Sequence, residues 1–330
     1  MIYDIFHETV FHYQSLVTFS HNIARLKPKE GRDQELLSFR LDVEPYASEV
    51  HSFVDMFGNT NHHLLLREPH TSLTVTGHSR VRRKIKEAER AIERIKAGAP
   101  TYEKALQRLA TFHARDIAAK QFLFASELIP VEVGPIRDYA LASFHPKRSL
   151  YEAGEELMGR IFEDFEFNPA FSDLTTPVET IFEEKKGVCQ DFAHFALSTL
   201  RSIGLPARYV SGYIETVPPK GTVKLFGVDA SHAWVSLYVP GCGWLDLDPT
   251  NNIIPLEQHI VMGHGRDYHD ISPLKGVVRG SGQSRLSVRV DVRRAPAEEE
   301  SAESSQTQTQ TQTQTQSQSQ SQSSSPSDPV

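Results

Sequence analysis

Two cysteines in 330 residues are too few for a disulfide framework or a four-thiolate metal site. No apolar run approaches the ~18–20 residues of a membrane span, so no membrane partner is expected. The opening MIYDIFHETVFH carries acids at Asp4 and Glu8 and no basic lead-in, unlike a secretory signal. A cytoplasmic protein is the expectation. No G-x-S-x-G, no P-loop and no G-x-G-x-x-G in a strand–helix context is present. From Ala297 onward the chain has five acids and no Lys or Arg, so the net charge of −7 leaves only −2 for the body. A nearly neutral body excludes nucleic acid as the main partner.

What is there falls into stretches of different character. Residues 1–81 alternate as strands do, in YDIFHETVFHY, LLSFRLDV, HHLLLRE and SLTVTGHSRV, with MFGNTN (56–61) as a turn. An antiparallel, sandwich-like β domain follows from that pattern. Residues 82–147 form a helical connector: Ile85, Ala88, Ile92 and Ile95 recur at helical spacing, Gly98 and Pro100 break the run, and acids interleave with bases. Residues 148–292 mix helix and strand, with SRLSVRVDV (284–292) as a closing strand. Residues 296–330, rich in Ser, Thr and Gln, cannot bury enough surface to offset ordering and are expected to be disordered.

Some residues imitate sites. His7-Glu8-Thr9-Val10-Phe11-His12 is H-E-x-x-x-H, one residue too long for a zinc-protease helix and strand-like in pattern. Asp267, His269 and Asp270 in GRDYHDISP, with His264 before them, are crowded without metal-type spacing; a structural loop is expected, with Arg266 or Asp267 bonding the body. Loops of alternating Asp and Asn are absent, and no metal or cofactor is expected. Cys242, in PGCGW, reads as a turn residue.

The chemistry concentrates after Thr176. Thr176 as N-cap, Pro177 at N1 and Glu179 at N3 predict a short helix that Gly187 ends. A buried helix then starts near Cys189, with Phe192, Phe195, Ala196, Thr199, Leu200 and Ile203 on one face and Gly204 and Pro206 as the stop. Unpaired amides at a helix start stabilise a thiolate and offer donors to an oxyanion. The backbone N–H of Cys189 is the expected oxyanion-hole donor; the sequence identifies no second. Asp191 reads as a first-turn cap and His194, further round the helix, as a packing residue. ARYVSGYIE, DASHAWVSLYVPG and WLDLDPTNN read as three strands separated by turns. They bring His232 and Asp248 together, the histidine to deprotonate the thiol and the aspartate to orient it. Asp246, expected on the opposite strand face, is the weaker choice.

GVCQDFAHF, LPARYVSGY, DASHAWV, GWLDLDPTN and GRDYHDISP, in that order, resemble the bacterial transglutaminase-like family of the papain-like superfamily. HETVFHY and FGN resemble its N-terminal β domain. The resemblance implies an α+β protein: an antiparallel β-sandwich-like domain and a papain-like core with the Cys helix on an antiparallel sheet. It implies catalytic Cys189, His232 and Asp248 and a thioester intermediate. The charged stretch 82–120 has no counterpart and reads as an insertion. The expected substrate is a protein or peptide carrying Gln or a scissile amide, resolved by water or an amine acceptor. The alternative is a catalytically dormant papain-like scaffold that binds peptides or partner proteins. Oligomeric state is not legible.

Overall fold

The computed structural model describes residues 1–131, 134–216, 231–280 and 282–295. The predicted tail and the Pro/Gly/Lys turn after Glu215 lie outside them. Residues Met1–Arg293 form one compact unit.

The first six strands are β1 (Ile2–Val17), β2 (Phe19–Ala24), β3 (Gln34–Glu44), β4 (Glu49–Val54), β5 (Thr60–Leu66) and β6 (His70–Arg83). Alternation decides their faces: Tyr3, Ile5, His7 and Thr9 of β1 are buried, and their sequence neighbours are less so. The predicted turn sits between β4 and β5. There Asp55 Oδ1 accepts from the Phe57 and Asn59 amides, both at 2.9 Å, and Gly58 takes φ +76°.

The connector holds α1 (Ile85–Gly98), α2 (Tyr102–Leu109), α3 (Ala114–Lys120) and α4 (Pro135–Leu141). Ile95, Ala105, Leu109, Ala119 and Ile136 join the apolar cluster of the second half of the chain, so this stretch is an integral layer rather than an appendage. Then come α5 (Leu150–Asp164), the short parallel pair β7 (Glu166–Phe167) and β8 (Lys186–Gly187), α6 (Val178–Glu184) and α7 (Cys189–Ser202).

The start of α6 departs from expectation. Pro177, extended at ψ 146°, is the N-cap, and the Thr176 hydroxyl is engaged by the Asp173 amide at 2.9 Å instead. The stop is also earlier than Gly187. Lys185 ends α6 in the left-handed region at φ 55°. Its ammonium stands 3.8 Å from the Phe182 ring centroid and 4.5 Å from that of Phe165, contacts that offset the cost of that backbone.

The second half is built on β9 (Ala207–Ile214), β10 (Ser231–Val239), β11 (Gly243–Leu247) and β12 (His259–Gly265), followed by α8 (Tyr268–Ile271), β13 (Leu274–Arg279) and β14 (Ser284–Arg294). Strand order is β11-β10-β9-β12, all antiparallel. Ala207, Tyr209, Val235 and Leu237 pack with Phe192, Phe195, Ala196 and Leu200 of α7 in the main core, and Leu245 and Leu247 of β11 close on Gly154 of α5.

The second half does not run on to 292, the bound expected for a catalytic core. β13 pairs with β2, and β14 lies beside β1, so the sandwich sheets are β14-β1-β6-β3 and β13-β2-β5-β4. Val290 and Val292 fill the sandwich core with Tyr3, Ile5, Leu73 and Val75. The clean alternation of 284–292 is that of an edge strand returning to the first domain.

The two halves meet along β12, an outer strand of the β11-β10-β9-β12 sheet. Gln34 donates to Val261 O at 2.7 Å and accepts from Val261 N at 2.8 Å. Asn59 treats His264 the same way, at 2.7 and 3.0 Å. These two side-chain amides, with the Lys29 backbone amide that donates to Val261 O at 3.1 Å, cover the edge of β12.

Candidate active site

Cys189 is the first residue of α7, so its amide has no intrahelical acceptor; its side chain is partly exposed. The Asp191 carboxylate accepts from the Val188 amide at 2.8 Å and from the Ser172 hydroxyl, which makes it the expected cap. Burial raises its pKa, and those two bonds lower it only partly. His194, five residues along, packs on the Tyr209 ring at 5.2 Å and accepts from the Tyr268 amide at 3.3 Å. Burial holds it neutral, with a pKa of about 3.

The end of the sheet where β9 and β11 finish and β10 and β12 begin gathers the rest. His232, second residue of β10, donates from Nε2 to Asp248 Oδ2 at 2.8 Å. Because the carboxylate can only accept, Nε2 carries the proton and Nδ1 is left for the Cys189 thiol, which is near enough to favour a charge on His232. Burial opposes a charge on His232, but Asp248 and Cys189 outweigh it and push its pKa up to about 10. The imidazolium therefore persists through neutral pH.

Asp248 is fully buried and uses its oxygens differently. Oδ1 accepts the Thr250 and Asn251 amides at 3.0 and 3.3 Å and so fixes the turn after Pro249. Oδ2 accepts from His232, from His259 Nε2 at 2.9 Å and from Asn251 Nδ2 at 2.8 Å. Burial alone would raise its pKa; the two histidines hold it far below the usual carboxylate range. Capping and orienting are both done by this residue, one with each oxygen.

The structure thus brings Cys189, His232 and Asp248 together and adds two residues that sequence reasoning missed. His259 opens β12 and, pressed down by burial despite Asp248, is the neutral partner of the charged His232. Asn251 lies three residues after Asp248, within the quoted DPTN motif. Nothing near His259 in sequence marks it; only the β9–β12 pairing does, setting it opposite Ile214.

The expectation for Asp246 is corrected. Residues two apart on a strand share a face, and β11 register sets Asp246 opposite Ser236. Asp246 therefore lies beside Asp248 on one face and accepts from Trp234 Nε1 at 3.1 Å. Trp234 is fully buried, 5.9 Å from His232 and 5.1 Å from His259 between ring centroids. Gly212 makes room for it: a Cβ there would stand 2.6 Å from the indole and 2.2 Å from Ile260 O. Gly212→Ala is expected to destabilise the protein by about 1–3 kcal/mol through overpacking and to alter tryptophan emission. Urea unfolding followed by fluorescence checks this; a wild-type midpoint would mean that β12 yields freely.

Other candidates resolve as packing. His7 is buried and bonded to the Tyr213 hydroxyl at 2.9 Å, whereas His12 is exposed, so the pair cannot share an ion. Asp267 accepts from the Leu128 and His269 amides, and Arg266 pairs with Asp270 at 2.8 Å. Arg201 of α7 donates to Ala207 O and Arg266 O, which fastens this loop to the Cys helix. Cys242 lies in the β10–β11 turn, partly buried. Among the described residues, His232, Asp248 and His259 are those whose ligand atoms cluster closely enough, within 4.8 Å, to hold a metal. With both histidines directing Nε2 at one carboxylate oxygen, a cation there would have to displace their protons.

Residues 3–82 match the family model of the bacterial transglutaminase-like N-terminal region, and residues 138–249 match that of the transglutaminase-like superfamily. An uncharacterized protein of Mycobacterium bovis is 35% identical over 297 residues, 88% of this chain and 92% of the relative. A Pseudomonas aeruginosa protein-glutamine gamma-glutamyltransferase is 29% identical over 116 residues, 33% of this chain and 17% of that protein. The fold is shared with the crystal structure of a candidate cysteine protease from Cytophaga hutchinsonii, at TM-score 0.67 and 19% identity over 89% of this chain and 90% of that one.

Proposed function

The chain belongs to the bacterial transglutaminase-like family, and from that membership we propose that it is a cysteine acyltransferase acting on protein or peptide amides. One observation carries this: His232, bonded to Asp248 at 2.8 Å, stands near Cys189 at the start of a buried helix. A charged imidazole beside the thiol favours its thiolate. The Cys189 sulfur attacks the carbonyl carbon of a glutamine side chain or peptide bond, with the Cys189 amide donating to the oxyanion. The C–N bond breaks, His232 gives its proton to the leaving nitrogen, and a thioester remains. Water or a lysine amine then attacks, His232 takes a proton from it, and the acyl group leaves Cys189 as acid or new amide.

The test is a short iodoacetamide pulse across pH 5–9 read by intact mass. An ordinary thiol of pKa ≈ 8.5 is only about 1% thiolate at pH 6.5, so Cys189 should react roughly 10- to 100-fold faster in wild type than in His232→Ala near that pH. Peptide substrates supplied with and without an amine then assign the acceptor: ammonia release alone means water, and amine incorporation means transfer. Alkylation of Cys189 no faster than of Cys242, and indifferent to His232→Ala, would favour the dormant, peptide-binding scaffold instead.

A further inference from the structure

The face of the catalytic sheet that carries Trp234 also walls a cavity of about 450 Å³, closed by α1 and by the stretch from Lys29 to Gln34 of the sandwich. None of Cys189, His232 or Asp248 lines it. Five basic side chains do: the exposed Arg32 and Arg94, and the more buried Lys29, Arg208 and His264. Arg208 lies flat against Trp244, its guanidinium carbon 4.1 Å from the ring centroid, and its Nε is buried without a partner. Asp246 is near enough to favour the charge of Arg208 but makes no ion pair with it within 4 Å. His264 is only 8% exposed, and its Nδ1 also lacks a partner. Lys29 Nζ reaches only a neutral acceptor, Phe57 O, at 2.8 Å.

Acids at the cavity are engaged elsewhere or lie at its rim. Asp33 pairs with Arg83 at 2.9 Å, Asp246 holds Trp234, and Glu30 is exposed. Burial depresses Lys29 to about 8 and Arg208 to about 10, and Arg208 lowers Lys29 further by repulsion. Asp55 and Asp246 favour the two charges from a distance but form no ion pair with them, and partly buried cations so placed are costly. A planar guanidinium beside an ammonium is the donor set for carboxylate or phosphate. Ile92 and Trp244 give the remaining wall an apolar character, and the volume lies within the range of small-molecule sites.

The geometry points to a binding site here for a small organic anion, a carboxylate or phosphate head with a short apolar body, held by Arg208, Lys29 and His264. It is separate from the acyl-transfer chemistry and does not depend on it. Cys242 lines the same cavity and serves as a reporter, alone once Cys189 is alanine.

The full chain carrying Cys189→Ala is labelled at Cys242 with iodoacetamide at constant ionic strength, with hexanoate, hexyl phosphate, hexanol or hexyltrimethylammonium present. Calorimetry with the same four probes reads binding directly. Labelling is expected to slow about tenfold at an anion concentration about ten times its dissociation constant. Hexanol and the cation should protect far less, and whichever anion binds tighter distinguishes carboxylate from phosphate. Arg208→Gln and, at the cavity wall, Lys29→Gln should each weaken the anion with circular dichroism unchanged; should Arg208→Gln fail to fold, Lys29→Gln decides alone. Equal protection by hexanol, no heat with either anion, or anion binding indifferent to Lys29→Gln would overturn the proposal.

Discussion

Asp248→Ala is expected to lower turnover by about 10³–10⁴-fold and folding stability by about 3–5 kcal/mol. The turnover loss and most of the stability loss come from one oxygen. Oδ2 holds His232 and His259 together, so its removal strands a buried imidazolium beside a second ring with no acceptor. Removal of Oδ1 frees the Thr250 and Asn251 amides as well. Asp248→Asn should separate the effects. An amide can still accept at one position, so folding suffers less, but its NH2 must then face either the two histidines or the Thr250 and Asn251 amides, and turned to His232 it reverses that ring's tautomer. Denaturant unfolding and amide turnover, measured on both variants, check this; wild-type stability in Asp248→Ala would show that His232 is not charged there.

The same carboxylate sets the pH window. Asp248, depressed from 3.8, contributes stability that is complete above its ordinary value and lost as pH falls towards the lowered one. His232, raised from 6.5 to about 10, contributes stability that is complete below pH 6.5 and lost as pH rises through about 10. The pair is therefore most secure between these limits.

Cys189→Ala should abolish turnover, by at least about 10⁴-fold, while stability changes by no more than about 1 kcal/mol. The thiol is partly exposed and stands at a helix start that Asp191, not Cys189, caps. The variant should still bind peptide substrates, and calorimetry on it gives their affinity free of reaction. Residual turnover in Cys189→Ala, with Cys242→Ala silent by itself, would move the chemistry away from this thiol.

Much of this was legible because local signals and tertiary outcome agree. The α7 repeat, the Asp55–Asn59 turn and the alternation of β1 each serve a face that is in fact buried. His259 was hidden because its role depends on a strand pairing between residues 45 apart, which leaves no local trace. Asp246 was misplaced by its strand face and Thr176 by a rival hydroxyl acceptor role at Asp173. β14 reads correctly as a strand and β13 carries no reading at all, and periodicity does not say which sheet a strand joins.

That last pairing has a consequence for how the chain is made. The sandwich begins at residue 2, yet the partner of β1 at its sheet edge ends at Arg294, so a ribosome must finish the whole catalytic sheet before the first domain can close. At roughly 5–20 residues per second, β1 and β2 wait on the order of 15–60 s with open hydrogen-bonding edges. For that interval the nascent protein carries two sticky strands, and the catalytic half, folding in between, is the part born complete.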